Sequence, residues 1–230
     1  AFFSVSVGLT NLVAYGAYLR KEVNISRDAS IIVGADSLVA ILAGLAVFPI
    51  IFANNIEPSS GPGLVFQALP IAFSQTAGGL IFGAVFFILL FFAALTSSIA
   101  MIEAPVSWLS DETNLSRRMA AVTVGFVGFL LGSLAALSFN LLSDIRPISG
   151  LEILSDKGFF DLFAFIASDV IMPLGGLMIA IFAGWVVKKN FSLDELFNGN
   201  KNIFYTIWLF LVRYVVPVLL ILLFYQIVTA

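Results

Sequence analysis

The sequence predicts an all-α integral membrane protein, and three observations carry that prediction. Hydrophobic residues fill 60% of its 230 positions and charged residues only 11%, whereas a soluble domain is roughly half apolar and about a quarter charged. Several apolar runs reach about 20 residues, the length that crosses a ~30 Å hydrocarbon layer, where only helices and closed barrels satisfy their own backbone groups. Lys and Arg gather at alternate connections between those runs, as the positive-inside rule requires of a polytopic chain.

The elements follow in order from window hydropathy. A partial span covers about 1–19 and ends at Arg20 and Lys21; the next covers about 29–53 and stops at the turn-rich "NNIEPSSGPG". Residues 54–77 hold no Lys or Arg, and their apolar piece "GLVFQALPIAF" is too short to span, so this stretch reads as an extracellular hairpin. The third span is 78–109, the fourth 117–139, the fifth 158–187 and the last 203–228. At ~1.5 Å per residue the third is about 48 Å long, so it must tilt or project beyond the bilayer. Arg20, Lys21 and Arg27, then Arg117 and Arg118, then Lys188, Lys189 and Lys201 share the cytoplasmic side, which sends the C-terminus outside. All of 1–230 reads as one transmembrane domain. The chain starts abruptly at Ala1 inside an apolar segment, with neither the charged n-region nor the cleavage site of a signal peptide. The expectation is the later part of something longer.

Composition also excludes. With no Cys there is no disulfide or thiolate chemistry, and with no His the commonest transition-metal ligand is missing. A net charge of −3 offers no basic surface for nucleic acid. Most routes to an enzyme are closed.

What remains is polar groups that lipid does not explain, and each is costly enough to be a candidate site. Between Gly78 and Ile102 there is no charge, yet Thr96, Ser97 and Ser98 stand side by side. Ala93, Thr96 and Ser97 are i, i+3 and i+4 and share a helix face. Such hydroxyls either bond back to the carbonyl one turn earlier or pack at a helix interface, or they form a hard-oxygen surface for a small alkali cation. "FFSVSVGLTN" at 2–11 alternates Ser4, Ser6, Gly8 and Thr10 with bulky residues. That pattern favours helix weakly, and it reads either as a small-residue packing face or as a broken helix whose freed carbonyls line a cavity. Asp36 lies about two turns inside its span; Asp161 sits near the outer end of the fifth span and Asp169 two turns deeper.

At these residues the sequence resembles the neurotransmitter:sodium symporter family, in particular its bacterial amino-acid transporters. "FFAALTSSIAMIEAPVSWLSDETNLSRR" resembles the family's eighth helix and the loop after it, "FFSVSVGLTNLVAYGAYLRK" is similar to its broken sixth helix, and "LVRYVVP" (211–217) to its eleventh. The resemblance covers all 230 residues, helices six to eleven. It implies a LeuT-type inverted-repeat transporter fold, second half only, lacking helices one to five. Ala93 by its carbonyl and Thr96 and Ser97 by their hydroxyls match one sodium site; Ser4 matches a ligand of the other, and Asp36 falls at or next to that site's side-chain ligand on the seventh helix. The carbonyls of Phe3, Ser4 and Ser6 would receive a substrate amino group, with Phe3 as an aromatic lid. Gly8, Leu9, Ser97 and Met101 would line the side-chain pocket, where Leu9 replaces the Phe of relatives. Asp161 matches the outer gate acid; Tyr18, Glu103 and Asp111 match inner gate positions, with Glu at 103 where the family has Gln.

The resemblance therefore implies sodium-coupled, chloride-independent symport of an amino acid, hydrophobic or aromatic, by alternating access. The implied partners are sodium, the amino acid, the bilayer of the inner (plasma) membrane and the missing N-terminal half. Two rivals stand beside it: a sodium- or proton-driven carrier of another small solute on the same scaffold, and a non-transporting regulatory half-protein.

Overall fold

A helix satisfies its own backbone hydrogen bonds, so a chain this apolar has little choice of architecture, and every regular element among the described residues is helical. The computed structural model describes residues 5, 8, 11–17, 19, 23–53, 61–148, 150, 154–197, 199 and 202–229. A short α1 (Asn11–Ala17) precedes α2 (Ile25–Ala53), then a π-helical segment Leu64–Ala68 runs into α3 (Leu69–Ser74). The 34-residue α4 (Gly79–Glu112) and α5 (Arg117–Leu137) follow. The next span is built from α6 (Phe159–Ala164), a π segment Phe165–Ile171, α7 (Met172–Ile181) and a π segment Phe182–Val186. After α8 (Lys189–Phe197) come α9 (Ile203–Phe210), a π segment Leu211–Val215 and α10 (Val216–Thr229).

Five of these helical stretches are long and apolar enough to cross a membrane: Ile25–Ala53, Gly79–Glu112, Arg117–Leu137, Phe159–Val186 and Ile203–Ile227. None of the most apolar window of α2 is buried by the rest of the chain, and only 11% of that of α4. Their side chains face outward, the reverse of a soluble domain, and the chain is a multi-pass membrane protein.

Helix starts lie where side chains cap them rather than where hydropathy rises. Asn24 Oδ1 accepts from Arg27 N at 3.0 Å, which starts α2 at Ile25, four residues before the apolar run at 29. Asp28 sits in that first turn, where the helix dipole favours an acid. Ser116 and Asn202 cap α5 and α9 the same way, accepting from Met119 N and Tyr205 N.

Among the described residues, three of the four π segments end two residues before a proline: Pro70, Pro173 and Pro217. A proline lacks the N–H of the ladder, and its ring collides with the carbonyl four residues back. One wide turn relieves that collision without breaking the helix. The fourth segment, Phe182–Val186, has no proline after it; there the Arg213 Nε donates to the Gly184 carbonyl.

The chain divides into two compact units, Ile31–Met101 and the combined Ala1–Ser30 and Ile102–Ala230. In the first, Ile51, Ala68 and Leu69 are buried, with Val47, Leu64, Phe73 and Phe86 packed around them. The turn between α3 and α4 needs two glycines: Gly78 has φ +75, and a side chain on Gly79 would lie 1.6 Å from the Phe73 carbonyl oxygen. In the second unit, α7 packs on α10 and buries Met172, Pro173, Gly176 and Ala180. Ser138 Oγ accepts from Phe160 N at 3.2 Å, tying the end of α5 to α6. Tyr205 is 4% exposed. Its hydroxyl donates to the Lys189 carbonyl at 3.0 Å and meets Ser192 Oγ at 3.0 Å, which locks α8 onto α9. Ser26 Oγ donates to the Leu196 carbonyl at 2.5 Å, so α8 also holds the start of α2.

Candidate functional site

The hydroxyl row Thr96, Ser97 and Ser98 lies within α4. Thr96 Oγ1 lies 3.0 Å from the carbonyl oxygens of both Phe92 and Ala93. Ser98 Oγ donates back to the Ala94 carbonyl at 2.7 Å. For these two the ordinary back-bond of a membrane helix accounts for the proton. Ser97 is different: among the described residues its hydroxyl has no hydrogen-bond partner. Ala93, Thr96, Ser97 and Met101 are all exposed on this chain.

The geometry at Thr96 allows a specific chemistry. Its single proton can settle wholly on the Phe92 carbonyl, because both acceptors are equally near. The Ala93 carbonyl is then relieved of that proton, and the Thr96 lone pairs remain open to accept. One carbonyl and two hydroxyls, all hard oxygens, suit an alkali or alkaline-earth cation rather than a soft metal.

Asp36 is half-buried in α2, with its Oδ2 enclosed. Glu103 Oε1 forms an ion pair with Arg117 Nη2 at 2.5 Å and accepts a hydrogen bond from Ser107 Oγ at 3.3 Å. The side chains are 25% and 60% exposed, so this pair sets geometry more than it stabilises. Asp111 is exposed at the end of α4, and Asp161 is exposed in the first turn of α6. Asp169 is half-buried in the π segment before α7. Gly8 is buried in a 3-10 turn. Phe3, Ser4, Ser6, Leu9 and Tyr18 lie outside the described residues. The structure thus brings Thr96 to Ala93 and Glu103 to Arg117.

Sequence reasoning passed over Arg213. Besides bonding to Gly184, its guanidinium carbon lies 5.6 Å from the centre of the Trp185 ring, and Trp185 meets Tyr214 edge-on at 6.0 Å. The signal was available: it is the one basic residue in the run 203–228, and a charge inside a span marks a partner nearby. An open cleft of about 630 Å³ between α3 and α4, lined by Pro70, Phe73, Thr76, Gly79, Leu80 and Phe87 among others, holds none of the predicted site residues.

The profile of the Sodium:neurotransmitter symporter family matches residues 1–230. The chain is 37% identical over 231 residues to the sodium-dependent transporter YhdH of Bacillus subtilis (strain 168), with 99% of this chain and 49% of that protein covered. It is 35% identical over 223 residues to a sodium-dependent transporter of Haemophilus influenzae, with 97% and 47% covered. It therefore spans about half the length of the curated relatives it matches. Among solved structures it resembles MhsT, crystallised in complex with L-phenylalanine, at a TM-score of 0.88 and 38% identity, with 98% of this chain and 50% of that one covered.

Proposed function

This chain belongs to the Sodium:neurotransmitter symporter family and has the second half of a LeuT-type transporter fold; from that premise we propose that it serves sodium-coupled symport of an amino acid, hydrophobic or aromatic, by alternating access. Sodium is a transported ion here, and the observation that carries the reading is the oxygen set on α4. Thr96 can turn its proton to Phe92, leaving the Ala93 carbonyl, the Thr96 lone pairs and the Ser97 hydroxyl for one cation. Ser4 and Asp36 serve the second cation. Asp36 also supplies a fixed carboxylate, so no external anion is needed and transport is chloride-independent. The carbonyls of Phe3, Ser4 and Ser6 take the substrate amino group, and Gly8, Leu9, Ser97 and Met101 shape the side-chain pocket. Tyr18, Glu103 and Asp111 form the inner gate and Asp161 the outer one. The protein lies in the inner (plasma) membrane with its C-terminus outside.

Phenylalanine bound to MhsT supports an apolar substrate, and sodium dependence is named for both bacterial relatives. Coupling arises because sodium and substrate each complete the other's oxygen shell, so each raises the other's affinity by the same factor. The test is uptake of radiolabelled phenylalanine by proteoliposomes holding the full-length transporter. An inward sodium gradient should drive accumulation that a panel of large apolar amino acids inhibits. Equal uptake with choline replacing sodium, or stronger competition from glycine and alanine than from leucine and phenylalanine, overturns the proposal.

A further inference from the structure

Gly8 and Gly175 meet backbone to backbone. A Cβ built on Gly8 would fall 1.9 Å from the Met172 carbonyl oxygen, and one built on Gly175 would fall 2.0 Å from the Gly8 carbonyl oxygen. Real Cβ atoms stay beyond 3.0 Å of their neighbours, and every obstacle here is main chain, so no rotamer change relieves it. The contact is reciprocal, with each glycine leaving room for the other's strand of backbone. It is also specific: a Cβ on Gly16 or Gly125 would meet nothing within 4 Å. The α7 side of the contact is firm. Met172 is 5% exposed, Pro173 is among the fully buried side chains, and α7 itself packs on α10. Gly8 and Gly175 belong to one compact unit.

Gly8 lies within the segment 3–9 to which the proposed function assigns the substrate. Resting on that reading, we infer that Gly175 is a positioning residue for the substrate segment, acting through Gly8, which α7 holds at a distance only two glycines permit. Gly175 does not touch the amino acid. It fixes how close Gly8 lies to α7, and Gly8 anchors the segment that the proposed function assigns to the substrate. Moving a new methyl from 2.0 Å to the 3.4 Å of ordinary contact requires a retreat of about 1.4 Å, and a misplacement of about 1 Å already costs a bound geometry tenfold or more, up to about a hundredfold.

The test compares wild type, Gly175→Ala, Gly8→Ala, the double variant and Gly16→Ala in the full-length transporter. Hydrogen exchange is followed in peptides covering 2–11 and 170–177, and phenylalanine binding is measured at fixed sodium. Gly175→Ala should speed exchange in 2–11 and raise the phenylalanine Kd about tenfold or more, with the number of binding sites per total transporter unchanged. The double variant should be no worse than the stronger single, because both remove one contact, and Gly16→Ala should match wild type. Wild-type exchange and Kd in Gly175→Ala overturn the inference, as does a fall in site number with Kd unchanged, which is what mere destabilisation gives. Should Gly175→Ala not fold, wild-type exchange decides: joint protection of 2–11 and 170–177 supports the contact, and loop-like exchange at Gly8 overturns it. A wild type that binds no amino acid sinks the proposed function while leaving the exchange comparison to judge the contact.

Discussion

Thr96 shows how a residue can satisfy the ordinary rule of its environment and still be available for function. Its proton goes back to the helix, as lipid demands, but two carbonyls at 3.0 Å compete for it, and neither uses the oxygen's lone pairs. Thr96→Val keeps shape and volume and removes only that oxygen. In the reconstituted full-length transporter it is expected to raise the sodium half-saturation concentration at least severalfold while thermal stability shifts little, since the lost back-bond is worth about 1 kcal/mol. An unchanged sodium half-saturation would falsify the assignment. At this scale the sequence was legible where a residue contradicts its surroundings. Three hydroxyls in an uncharged run, and carboxylates at 36, 161 and 169, announce themselves by cost. It was illegible where the partner is a backbone atom far away in the chain. A lone Arg213 in its span, and Gly8 among small residues, signal that a partner exists, but nothing in the side-chain pattern names the Gly184 carbonyl, 29 positions away, or the Met172 carbonyl as that partner.

Elements were legible in kind and shifted at their ends. Hydropathy averages over a window, so it discards a charged first turn such as Asn24–Asp28 even though a cap and the dipole both favour helix there. The π segments lay further out of reach. Proline marks where a helix must deform, but whether the chain kinks, breaks or widens by one turn depends on what the neighbouring helix can pack against. Before Pro173 and Pro217 the answer is a wide turn within a continuous span, and α7 and α10 pack on each other directly after it. The α3–α4 turn makes the sharpest element-scale prediction. Gly79 stands 1.6 Å, measured from its missing Cβ, from the Phe73 carbonyl oxygen, whereas a Cβ on Gly125 within α5 would meet nothing. Gly79→Ala must pull α3 off the start of α4 and open the buried group of Ile51, Ala68 and Leu69. Its folded yield in detergent, read by size-exclusion chromatography, should fall steeply, and Gly125→Ala should stay at wild type or gain slightly from helix propensity. Equal yields for the two variants would show that the turn does not depend on a bare backbone at 79.

Across the whole molecule the question is how a site at membrane depth tolerates cations. The two cations of the proposed function would bring two positive charges into a low-dielectric interior, where unbalanced charge is far more costly than in water. In that proposal neutral oxygens on α4 compensate one ion by dipole alone, and the chain holds no His or Cys to do more. Asp36 is the carboxylate that the proposed function assigns to the other ion site, and its Oδ2 is enclosed. If Asp36 is the balancing charge, an external anion has no role, and uptake in proteoliposomes should proceed at the same rate when gluconate replaces chloride on both sides. Asp36→Asn keeps the shape and one oxygen ligand but removes the charge, so the sodium half-saturation should rise about tenfold or more, equivalent to at least ~1.4 kcal/mol. The same variant should then respond to chloride, because a small anion entering the emptied position restores what the carboxylate supplied. A wild-type rate that collapses in gluconate would refute the charge assignment. So would an Asp36→Asn transporter whose sodium and chloride responses both match wild type, for it would place the compensating charge on the half of the fold that this chain does not contain.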